Sequence, residues 1–84
     1  MKMCMITFRS VMPAQRAEKI LQREGITGKL SRTPRWMEQQ GCGYCLHIRC
    51  EDVAHAVQIL RENRIPFRRG YLLRDGGGAE EMAL

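Results

Sequence analysis

The same short unit occurs in both halves of the chain. Ala17-Glu18-Lys19-Ile20-Leu21 runs on to Gly25-Ile26, and Ala56-Val57-Gln58-Ile59-Leu60 runs on to Arg64-Ile65. Each reads as a helix passing into an extended segment, so the chain is built from two pseudo-equivalent halves. In the first helix Ala14, Ala17, Ile20 and Leu21 form one apolar stripe at three- and four-residue spacing. Ser10 offers an N-cap oxygen, Pro13 suits the first turn, and Gly25 ends the helix in the left-handed conformation. In the second helix Val53, Ala56, Val57 and Leu60 face inward. Glu51 and Asp52 sit at its electropositive start, and it stops near Asn63, ahead of Ile65-Pro66.

Period-two alternation marks the strands. Lys2 to Phe8 sends Cys4, Ile6 and Phe8 one way and Met3, Met5 and Thr7 the other. Ile26 to Arg32 reads as a weaker edge strand interrupted by Gly28 and closed by Pro34, and Trp36 to Gln40 as a single helical turn stopped by Gly41. Tyr44 to Arg49 sends Tyr44, Leu46 and Ile48 one way and Cys45, His47 and Arg49 the other, and Phe67 to Leu73 is the fourth strand. The order strand, helix, strand, strand, helix, strand predicts an α+β fold, the ferredoxin-like βαββαβ plait. Its four-stranded antiparallel sheet carries both helices on one face and leaves the other open to solvent, a ligand or a second copy of the chain. With 84 residues there is room for one domain, assigned to residues 1–74. Residues 75–84 begin with Asp75-Gly76-Gly77-Gly78, lack any periodic pattern and are expected to form a flexible tail.

No apolar run is long enough to cross a bilayer, and the first residues do not resemble a secretion signal, which gives the expectation of a cytoplasmic protein. In that compartment the four cysteines are expected to be free thiols, catalytic groups or metal ligands, with Cys4 and Cys50 serving as small buried hydrophobes. The net charge of +5 could attract anions. The arginines are scattered, however, and the third strand lacks the aromatic signature of an RNA-recognition module, so nucleic acid is disfavoured as a partner.

The chemistry concentrates in Gly41-Cys42-Gly43-Tyr44-Cys45. Glycines on both sides leave the Cys42 thiol open to close approach, and cations such as Arg35 or Arg49 could lower its pKa. Cys45 stands at the spacing of redox and metal C-x-x-C pairs, but the pair enters a strand, whereas the thioredoxin-like arrangement places it at a helix start. Cys42, Cys45, His47 and Cys50 are four candidate zinc ligands within nine residues, yet no second C-x-x-C completes a site. No metal and no cofactor is therefore expected. A dithiol redox module, or a regulatory or binding module with a nucleic-acid or protein partner, stays open beside a thiol carrier.

Several of these pieces, in order, resemble a small bacterial family of selenium or sulfur carrier-like proteins, long a domain of unknown function. They are Met5-Ile6-Thr7-Phe8, Ala17-Glu18-Lys19-Ile20-Leu21, Gly25-Ile26, Thr33-Pro34-Arg35 and Cys42-Gly43, so the likeness spans about Met5 to Tyr71. The resemblance implies a carrier rather than a stand-alone enzyme, with the chalcogen on Cys42 and with donor and acceptor proteins as partners. Gln39-Gln40-Gly41 departs from the small hydroxyl residues that often precede the family cysteine, and Cys45 is an extra thiol, readable as a helper. Gly41, Gly43, Arg35 and Arg49 complete the expected surroundings.

Overall fold

The first strand decides which way the sheet faces. In β1 (Met3–Phe8) the side chains of Cys4, Ile6 and Phe8 enter the main core, while Met5 belongs to a smaller apolar cluster with Cys45 and Tyr71. The computed structural model describes residues 2–33 and 43–84, and the expected turn at Trp36 to Gln40 and the strand stop at Pro34 lie outside them. The elements after β1 are α1 (Val11–Arg23), β2 (Lys29–Arg32), β3 (Tyr44–Arg49), a 3₁₀ turn (Cys50–Asp52), α2 (Val53–Glu62), β4 (Gly70–Leu73) and β5 (Ala79–Met82). The sheet has the order β2-β3-β1-β4-β5, with every pair antiparallel. It is an α+β fold whose first four strands have an order compatible with the expected plait, but the sheet is five-stranded.

The two halves end their helices alike. Ile26 N–H donates to the Leu21 carbonyl at 2.9 Å and Ile65 N–H to the Leu60 carbonyl at 2.9 Å, and the residue before each donor is left-handed. Gly25 takes that conformation freely at φ +84°, and Arg64 takes it at φ 55° against the usual preference of a residue with a Cβ. Ser10 has the extended backbone of an N-cap, but its side chain makes no capping hydrogen bond. Ala14, Ala17 and Leu21 from α1 meet Val53, Ala56, Val57 and Leu60 from α2 over Ile6, Phe8, Leu46 and Ile48 of the sheet.

β2 and β4 both begin later than expected. Ile26 is buried in the core instead of in the sheet, and Gly28 lies so close to β3 that a Cβ there would stand 2.8 Å from Leu46 Cδ1. Ahead of β4, Arg68 and Arg69 both bond to Thr7: Arg68 N–H donates to its carbonyl at 2.8 Å, and Thr7 N–H donates to the Arg69 carbonyl at 2.7 Å. Two residues thus meet one, as in a β-bulge, and regular pairing starts only at Gly70.

Two expectations are corrected. The segment after residue 75, expected to lack structure, contributes β5. The glycine run supplies the turn, with Gly76, Gly77 and Gly78 all at positive φ and Arg74 N–H donating to the Gly78 carbonyl at 3.2 Å. Periodicity could not show this strand, because its central residues Glu80 and Glu81 are exposed. They pair with Arg74 at 2.6 Å and Arg69 at 3.4 Å, and Leu84 beyond them packs against Gly70. The second correction is that Cys4 and Cys50, expected as free thiols, are joined in a disulfide. Antiparallel pairing of Cys4 with Ile48 brings the start of β1 to the end of β3, and Cys50 N–H donates to the Lys2 carbonyl at 3.1 Å. The Cys4 sulfur also touches Met82 Sδ at 3.8 Å, a contact between sulfurs without a shared proton.

Candidate functional site

Strand alternation places Cys45 and His47 on the sheet face opposite the helices, and the β2 register sets Ser31 across from Cys45 and Lys29 across from His47. The three side chains of Ser31, Cys45 and His47 close a small triangle. Ser31 Oγ lies 3.3 Å from Cys45 Sγ and 3.1 Å from His47 Nε2, and Sγ lies 3.6 Å from Nε2. One proton arrangement serves two of these contacts: with His47 protonated at Nδ1, Ser31 donates to Nε2 and the Cys45 thiol donates to Ser31 Oγ, leaving Sγ and Nε2 in contact without a shared proton. The Arg32 carbonyl, 3.8 Å from Sγ, is a second acceptor for the thiol.

The surroundings keep both titratable groups neutral. Burial pushes the Cys45 thiol up, and the Ser31 and Thr33 hydroxyls offset this only in part. Thr33 Oγ1 is itself buried and forms no hydrogen bond of ordinary geometry among the described residues, so its pull on Cys45 is the weaker of the two. His47 is held below the usual imidazole range, first by burial and then by repulsion from Lys29. Forming a thiolate–imidazolium pair would place two charges where burial opposes each, so Cys45 rests as a thiol with a base in reach.

The expected site residues separate. Cys45 is fully buried and is the one free cysteine among the described residues. Gly43 is buried at the start of β3, and its carbonyl accepts the Thr33 N–H at 3.0 Å, tying the two strands together where the intervening segment leaves and returns. Arg49 stands at the far end of β3, exposed and paired with Glu51 at 3.3 Å, and is not brought to Cys45. Cys42, Gly41 and Arg35 lie outside the described residues.

Of the four zinc-type candidates, Cys50 is spent in the disulfide, and no group of three His, Cys, Asp or Glu side chains able to hold a metal occurs among the described residues. Sequence reasoning missed Ser31 and Thr33 as parts of the cluster. Their signal was the parity of β2, which only the register converts into contact. The face expected to be open is closed at its centre, where Met5, Cys45 and Tyr71 are 1%, 0% and 9% exposed. No helix among the described residues is long and apolar enough to cross a membrane.

The sequence model of one family, described as "Putative Se/S carrier protein-like", matches residues 3–72, from the first residue of β1 into β4. Neither a curated protein nor a solved structure matches the chain. With the match spanning most of its length, the chain belongs to the Se/S carrier protein-like family.

Proposed function

We propose that this member of the Se/S carrier-like family holds sulfur or selenium on Cys42, as a persulfide or selenosulfide, and delivers it to an acceptor protein. The observation that carries the reading is the fate of the other three cysteines. Cys4 and Cys50 are bonded to each other, and Cys45 is buried with its pKa raised. Cys42 is the cysteine that remains, directly before the glycine that closes the β2–β3 end of the sheet.

Loading is thiol exchange at sulfane sulfur. The Cys42 thiolate attacks the outer sulfur of a donor persulfide, the donor S–S bond breaks, and the donor sulfur leaves with the electron pair as a thiolate. The new Cys42 persulfide keeps the proton of the outer sulfur, so no net oxidation occurs. In delivery an acceptor nucleophile attacks that outer sulfur and Cys42 leaves as the thiolate. Cys45 supplies a second route. Once His47 accepts its proton, it attacks the inner sulfur, closes a Cys42–Cys45 disulfide and releases hydrosulfide, and an external dithiol must then reduce the pair. Burial of Cys45 makes this the slower route.

Intact mass after treatment with a small-molecule persulfide tests the reading. An adduct of one sulfur atom should form on the wild type and on Cys45→Ser, and be absent from Cys42→Ser. An adduct that persists without Cys42 removes the carrier role from this residue.

A further inference from the structure

We propose that a cleft between the start of α1 and the entry to β4 docks an acidic segment of a protein partner that also inserts an apolar side chain. The cleft encloses about 540 Å³, with Met12, Pro13 and Phe67 forming its apolar walls and Arg9, Arg16 and Arg68 standing around it. Among the described residues no carboxylate lines it. Met12 is 68% exposed, the most exposed large hydrophobic residue among those described. It stands among the apolar walls of the cleft, and flexible methionines are frequent on surfaces that bind proteins.

The charge is unbalanced locally as well as overall. Arg9 and Arg16 are exposed and make no ion pair among the described residues, whereas the exposed Arg49, Arg69 and Arg74 each pair with a glutamate. The first turn of α1 carries no acidic residue, so the positive end of the helix adds to the same field. The chain's net charge of +5 points the same way.

Two features select a protein as occupant. A small-molecule site fixes its ligand with a few buried polar groups, and here the polar groups are long exposed guanidinium arms around an apolar floor, the anatomy of a protein interface. Single-stranded nucleic acid needs aromatic faces for stacking. Among the described residues that line the cleft the one aromatic ring, Phe67, is half-buried and has the Arg61 guanidinium 5.8 Å from its centroid.

The cleft lies at the end of the sheet where β1 finishes, β3 begins and the bulge leads into β4, and Gly43 closes that same end. A partner seated here lies at the same end of the sheet as Gly43, the residue next in sequence to Cys42. Naming this partner as chalcogen donor or acceptor rests on the carrier reading, but the docking itself does not.

The test is fluorescence anisotropy of the disulfide-intact protein with a labelled peptide alternating glutamate and leucine. Oligoglutamate and a single-stranded oligonucleotide of matched charge serve as the comparison probes. The Arg9→Glu, Arg16→Glu double variant should weaken the glutamate-leucine peptide by roughly tenfold or more, and Met12→Ser by roughly fivefold. Oligoglutamate should bind at least roughly tenfold more weakly than the mixed peptide, because it lacks the apolar anchor. All three positions are exposed, and unchanged circular dichroism verifies that the variants fold. Equal binding to wild type and variants overturns the proposal, as does equal binding of oligoglutamate. Tighter binding of the oligonucleotide, lost in the double variant, overturns the choice of partner. Cys42→Ser should leave peptide binding unchanged, and the double variant should still take sulfur from a small-molecule persulfide, so failure of docking and failure of the carrier role read out separately.

Discussion

The two faces of the sheet are made by the same strands and do opposite things. On the helix side, Ile6, Phe8, Leu46 and Ile48 are completely buried under α1 and α2, and Cys4 is cross-linked to Cys50. On the other side the same strands bury a mixture: Met5, Cys45 and Tyr71 beside a hydroxyl, an imidazole and the Thr7 side chain that bonds to the Arg69 backbone. The first face is held by close apolar packing. The second is held by polar partners whose protonation matters, and it is the face on which a thiol and a base meet. One strand of alternating residues thus builds the apolar core on one side and brings a thiol and an imidazole together on the other.

The contrast is broken most sharply by removing Phe8. It is fully buried in the helix-side core, so Phe8→Ala should cost about 3–5 kcal/mol in denaturant unfolding, enough to unfold a chain of this size in part. A loss below about 1 kcal/mol would mean that this core is not the main source of stability. Reduction of Cys4–Cys50 should have the next largest effect. The bond closes a loop with a sequence separation of 46, and its loss should lower stability by about 2–4 kcal/mol, read as a shifted urea midpoint with and without reductant. A Cys4→Ala, Cys50→Ala variant should match the reduced protein and no longer respond to reductant.

The smallest effect belongs to the other face and is read in pH. Because the fold holds His47 below its ordinary pKa, the unfolded chain binds the proton more readily, and stability should fall as pH drops through about 6.5. The raised pKa of Cys45 acts at the other limb. The unfolded chain loses its thiol proton first, so stability should fall again as pH climbs past about 8.5. His47→Gln should flatten the acid limb and Cys45→Ala the alkaline one. Curves that keep both limbs in these variants would separate the cluster from the pH response.

Much of this architecture is legible in the amino-acid sequence itself. Ala17, Leu21, Ala56 and Leu60 announce the helices, and the alternation in Met3–Phe8 and Tyr44–Arg49 correctly sorts Cys45 and His47 from Leu46 and Ile48. What escapes depends on distances the sequence does not carry. Cys4 and Cys50 meet only because of the β1–β3 register, and Ser31 meets Cys45 only because of the β2–β3 register. β5 escapes for another reason: its two central glutamates answer to arginines on neighbouring chain rather than to a core, so no apolar rhythm betrays the strand.

That last strand has a consequence for the company the molecule keeps. The family match stops at Leu72, so the segment paired along the outer side of β4 lies beyond it. Without that segment, β4 would present a bare row of amide and carbonyl groups, a template on which another extended chain could assemble. The short hairpin set by three glycines therefore moves the free edge from β4 to a four-residue strand whose exposed glutamates are engaged by neighbouring arginines, and a short, charged edge strand is a poorer template than the apolar one it covers.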